Sequence, residues 1–154
     1  MATYKSLVSL MIVALLLCGA GCSNKQPSDP KDAVIKLFGA MERNDQGAIA
    51  HLLDLPALMG NRDGDYALQT ATPRVFRNPV DILEDLTGDG LTKKRWFAMQ
   101  RVIGAAEIFG DSAKVEVSFI DKSTNTQYYN KFGLHRINGR WKIYAFKTLN
   151  PAGQ

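Results

Sequence analysis

Ala113-Lys114-Val115-Glu116-Val117-Ser118-Phe119 alternates apolar and polar residues without a break. That period of two puts Ala113, Val115, Val117 and Phe119 on one face of a half-buried strand and the charges on the other. The same rhythm extends on both sides. Arg101 to Phe109 reads as the strand before it, with a turn at Asp111-Ser112. Beyond the polar turn Asp121 to Thr126, residues Gln127 to Ile137 read as a third strand, with Tyr128, Phe132 and Leu134 on one face. Asn138-Gly139 is a two-residue hairpin signal, because both residues tolerate the positive φ of a type I′ turn. Arg140 to Lys147 then closes a meander, with Trp141, Ile143 and Ala145 predicted on one face and Lys142, Tyr144 and Phe146 on the other.

Upstream the period is 3.6. Asp29-Pro30 is a cap followed by a first-turn proline, and Val34, Leu37, Phe38 and Met41 recur at helical spacing. Asn44-Asp45 stops this helix. A second, Gly47 to Leu53, carries Ala48, Ile49, Leu52 and Leu53, and Pro56 is expected to end it. Gly60 to Asp65 spaces Asn61, Asp63 and Asp65 as a calcium loop does. Tyr66 stands where the glycine belongs and Thr72 where the acid belongs, so the stretch reads as a solvated turn. Tyr66 to Phe76 reads as irregular or a short strand. Asn78-Pro79 opens a third helix through Val80, Ile82, Leu83 and Leu86. Lys93-Lys94-Arg95 before Trp96-Phe97 reads as a charged loop whose aromatics turn inward, three charges being too few for a polybasic site. Helices first and a consecutive antiparallel meander after them is an α+β order.

The first residues carry a different message. Lys5 precedes an apolar run from Leu7 to Leu17 broken only by Ser9, then Gly19-Ala20-Gly21-Cys22. This is the anatomy of an export signal, and the run falls short of the roughly 20 residues that span a bilayer. It resembles the signal of bacterial lipoproteins, in which a small residue precedes a cysteine, as Gly21-Cys22 does here. Gly19 stands where that family usually has leucine. Cys18 follows the bulky Leu17, which places the lipid on Cys22. The resemblance implies residues 1–21 as a cleaved signal peptide, 22–30 as a lipidated tether and 31–150 as the domain. By the same resemblance Cys22 takes a diacylglyceryl group and a further acyl chain, and two or more chains anchor stably. Ser23, where inner-membrane retention would want aspartate, favours the outer membrane facing the periplasm in a two-membrane host. The competing expectation is a soluble secreted protein, cut near two ordinary small residues.

The chain downstream of Gly21 is one domain's worth of residues and holds no cysteine after Cys22, so neither disulfides nor thiolate metal sites can support it. Without Lys5 it carries 18 basic and 15 acidic side chains. That mild balance is no nucleic-acid footprint.

The domain resembles the nuclear-transport-factor-2-like (cone-shaped, cystatin-like) proteins. The resemblance rests on the opening helix Pro30 to Arg43, the second helix Gly47 to Leu53, and the closing hairpin Phe132 to Phe146 with Gly139-Arg140-Trp141-Lys142-Ile143. It implies a curved sheet wrapped round a helix, often with an apolar pocket at the open end. Some relatives are isomerases or dehydratases with a buried Asp–His or Asp–Tyr pair, and many are binding or dimerisation modules. No such pair carries over. His51 and His135 read as surface or packing histidines, and no triad, phosphate loop or zinc motif appears. No cofactor, metal or catalytic residue is expected. Tyr128, His135, Trp141 and Asp81 are the candidates for ligand contact. Three functions follow. The first is a lipid-anchored, non-enzymatic module for a small apolar ligand or a protein partner. The second is an isomerase or lyase using Asp81 or His135 with Tyr128. The third is a structural homodimer formed through the exposed sheet face.

Overall fold

The computed structural model describes residues 29–61 and 76–146. The signal and tether up to residue 28, the acid-spaced turn beyond Asn61, the stretch before Phe76 and the tail from residue 147 lie outside the described residues. Helix α1, Pro30–Glu42, starts where Asp29 accepts a hydrogen bond from the Lys31 amide at 2.8 Å, with Pro30 in the first turn. It buries Ala33, Val34, Leu37, Phe38, Ala40 and Met41. Asn44 turns the chain in the left-handed region at φ 58°. Asp45 then caps α2, Gln46–Leu52, by accepting from the Ala48 amide at 2.9 Å.

Pro56 does not close this helical region; it opens another. Helix α3, Leu55–Gly60, has Pro56 in its first turn and Asp54 as its cap. A proline ends what precedes it, but its fixed φ suits the start of a new helix. Between α2 and α3, extended Leu53 bridges in parallel to Ile143, and the Asp54 amide donates to the Ile143 carbonyl at 2.8 Å. Helix α4, Pro79–Asp85, is capped by Asn78 as the sequence suggests.

Lys93 to Arg95 is not a loop. It lies on α5, Leu91–Phe97, whose Thr92 and Trp96, four residues apart, face inward. The inward aromatic was legible; the helix was not, because its amino end is capped from outside. Buried Asp85 accepts from the amides of Leu91 at 3.1 Å and Thr92 at 3.4 Å.

Four antiparallel strands follow in the order β1 (Gln100–Phe109), β2 (Ser112–Asp121), β3 (Thr126–Ile137) and β4 (Arg140–Ala145). Ala113, Val115, Val117 and Phe119 are buried as their alternation requires. Asn138 and Gly139 turn at φ 50° and 76°, the positive values of a I′ hairpin. Register shifts between Ile103 and Ala106 and again at Gly133/Leu134. Phe146 departs from the expected face. Strand β4 ends at Ala145, so the alternation stops and Phe146 folds into the core.

The helices cover one sheet face, here the inner face. Between them sits a block of rings packed tilted or edge-on around Trp96. Phe38, Phe119, Phe132 and Phe146 each lie 5.5–5.7 Å from it, centroid to centroid. All five rings are buried. The Arg101 guanidinium closes one end, 4.0 Å over Phe97 and 5.3 Å over Phe38, donating to the Trp96 carbonyl at 3.0 Å.

Candidate functional site

The sheet's other, outer face meets the α2–α3 connection along β4. There, His135 of β3 places Nε2 2.9 Å from an Asp54 carboxylate oxygen. The Asp54 side chain also caps α3, accepting from the Ala57 amide at 3.2 Å, and its own amide is tied to Ile143. Two backbone anchors therefore fix the carboxylate before it meets the imidazole. Tyr144 lies beside the His135 ring at 4.9 Å between centroids. It can do so because residue 133 is glycine: a Cβ there would sit 3.0 Å from the Tyr144 ring and 3.1 Å from the Ala145 methyl. Lys142, directly across the ladder from His135, donates to the His51 carbonyl. Burial first, and then the nearby Arg140, hold the Lys142 ammonium below the ordinary lysine range, with Asp54 partly opposing.

The candidates named from sequence scatter. His135 belongs to this cluster. Tyr128 does not: seven residues along the same strand, it lies on the inner face, with the Arg95 guanidinium 6.0 Å over its ring. Trp141 is core, 1% exposed beneath Arg136 at 4.6 Å. Asp81 accepts from the Arg77 amide at 2.8 Å in the first turn of α4. Strand alternation separates His135 from Tyr128, so that pairing is not formed, and the Asp81 carboxylate is taken up by the Arg77 amide. Nor is His135 a bare surface histidine; it has a carboxylate partner. His51 is exposed on α2 and contributes its carbonyl, not its ring. Asp54, Lys142 and Tyr144 were missed. Asp54 is 81 residues from His135, and only Asp54-Leu55-Pro56, a cap-and-proline start, marked it in the sequence.

No protein-family model matches the chain, and no curated protein matches its sequence. Solved structures do. A protein of Streptomyces avermitilis from the NTF2-like family, provisionally assigned as a dehydratase, is similar over 79% of this chain and 93% of its own. Its TM-score is 0.51 at 16% identity. An NTF2-like protein of unknown function from Shewanella baltica is similar over 79% and 90%, at 11% identity and TM-score 0.49. A cystatin-like protein of unknown function from Nostoc punctiforme is similar over 79% and 88%, at 12% identity and TM-score 0.48. The domain has the NTF2-like fold. At these identities the likeness concerns the fold alone.

Within this NTF2-like fold the outer cluster is a partly buried carboxylate–imidazole pair, with side chains 19% and 30% exposed. It can orient one histidine ring nitrogen and leave the other to meet a ligand or a proton. Among the described residues no group of three His, Cys, Asp or Glu lies together as a metal site. Two expected results follow. Asp54→Ala lowers stability by about 1–2 kcal/mol, as loss of a helix cap does. Its double-mutant cycle with His135→Ala gives a coupling on the order of 0.5–1 kcal/mol in urea unfolding, the range of partly exposed pairs. A zero coupling removes the pair from the account.

The second concerns Lys142. Folding depresses its proton affinity, so the unfolded chain binds more protons in the alkaline window just below the ordinary lysine value. Stability therefore rises with pH through that window and loses this increment as pH falls. In Lys142→Met the increment disappears, measured as the difference in urea midpoints across the window.

Proposed function

We propose that this chain is a lipid-anchored bacterial envelope protein whose NTF2-like domain is a non-enzymatic binding or interaction module. One observation carries the module reading: Trp96 and four buried rings, tilted or edge-on to it, pack between the described helices and the sheet. We therefore place recognition on the outer face. There the outer face presents Val102, Tyr129 and the Asp54–His135–Tyr144 cluster to a protein partner, a second copy or a small apolar ligand. The anchor is supported by the signal anatomy and Gly21-Cys22. No described helix is long and apolar enough to cross a membrane. The test is fractionation. Membrane recovery of the wild-type chain is lost in Cys22→Ala, which moves to the soluble envelope fraction. A Cys22→Ala chain that still pellets with membranes contradicts the anchor.

A second reading is favoured by the 2.9 Å Asp54–His135 contact. In it the domain is a small-molecule isomerase or lyase acting at the outer edge of β3 and β4, with His135 moving a proton under Asp54's orientation. His135→Gln separates the two. The enzyme loses turnover with its fold intact, while the module has no turnover to lose and the change weakens only its hold on the partner.

A further inference from the structure

We propose that the end of the sheet carrying the β1–β2 and β3–β4 turns rests on an anionic phospholipid surface; this deepens the lipid-anchored reading and rests on it. An antiparallel meander sends alternate turns to opposite ends. Gly110-Asp111 and Asn138-Gly139 share one end, and the turn around Ser123 lies at the other. The shared end is apolar where a tip would normally be polar: Ile108 is 55% exposed, Phe109 61% and Ile137 39%. Cations ring those side chains. Arg140 is exposed, and Arg136 is half out in solvent with Asp111 3.6 Å away. Asp111 and Glu107 are the acids at this end, Lys114 lies across the ladder from Glu107, and with Arg136 and Arg140 the balance is positive. Exposed apolar side chains bordered by cations suit the boundary between headgroups and acyl chains.

The direction of α1 selects this end over the other. Glu42, at its carboxyl end, acts on Arg101 at the start of β1, and Phe38 lies under the same guanidinium. The start of β1 is the end that bears the Ser123 turn. The amino end of α1 therefore points toward the Phe109 and Ile137 end. Cys22 precedes Asp29 by seven residues, a span of at most about 25 Å. An acylated Cys22 thus holds that same end against the bilayer. The anchor keeps the local concentration high, so a contact too weak to bind alone is occupied.

The chain itself supplies a clean test, because after Cys22 it has no cysteine. Lipidated protein carrying Phe109→Cys, Ile137→Cys or Ser123→Cys is labelled with an environment-sensitive fluorophore. It is then reconstituted into vesicles of phosphatidylethanolamine and phosphatidylglycerol that contain a lipid-borne quencher. Labels at 109 and 137 are expected to be quenched several-fold more than the label at 123. Vesicles of phosphatidylcholine alone are expected to reduce that difference. Equal quenching at all three positions, with the chain retained on the vesicles, overturns this inference and leaves the anchor standing. Equal shielding in charged and neutral vesicles overturns the electrostatic part. A chain that washes off the vesicles overturns both the inference and the anchor.

Discussion

Replacing Trp96 by alanine is expected to lower stability by about 3–5 kcal/mol, the cost of emptying a large aromatic site in a packed core. Few single changes here should cost more. Trp96 is fully buried and touches four other buried rings, each at 5.5–5.7 Å. Trp96→Phe is expected to cost far less, about 1.5 kcal/mol or below. The reason is the indole Nε1, which is buried and has no hydrogen-bond partner among the described residues. A buried donor left unmatched is a standing penalty, so removing it offsets part of the lost packing. Urea midpoints of the two variants check the pair of results. Near-native stability in Trp96→Ala would mean that the ring block is not the core.

Gly90→Ala is expected to cost more than about 4 kcal/mol, at the exceptional end for a single substitution. A Cβ on residue 90 would sit 2.1 Å from the Asp85 carbonyl oxygen, 2.4 Å from its carbon and 2.6 Å from the Glu84 carbonyl oxygen. These are backbone atoms at the end of α4, and they cannot swing aside. The corner between α4 and α5 must open instead. That pulls the Leu91 and Thr92 amides off Asp85 and withdraws Trp96 from the core. Gly60→Ala is the control: among the described residues nothing lies within 4 Å of its added carbon. Loss of near-ultraviolet circular dichroism in Gly90→Ala, but not in Gly60→Ala, is the expected outcome.

The sheet was legible because burial on one face imposes period two. Ala113 to Phe119, the Asn138-Gly139 turn and the capped start at Asp29-Pro30 all fold as their local chemistry dictates. Legibility failed where a residue's role was set by something distant in sequence. Phe146 changes face because β4 ends at Ala145, an event decided by pairing and not by alternation. Lys93 to Arg95 is helical because Asp85, outside the segment, caps it. The site was read only in part. His135 was named, but its partner Asp54 is held in place by a bridge to β4 that no local pattern records. Tyr128 reads on the Phe132 and Leu134 face and His135, an odd spacing away, on the opposite one, and the structure keeps them apart.

The envelope anchorage depends on what is attached to Cys22. Mass spectrometry of the protein extracted from membranes is predicted to show a chain that begins at Cys22 and carries acyl groups on that residue. An unmodified amino terminus downstream of Cys22 would contradict it.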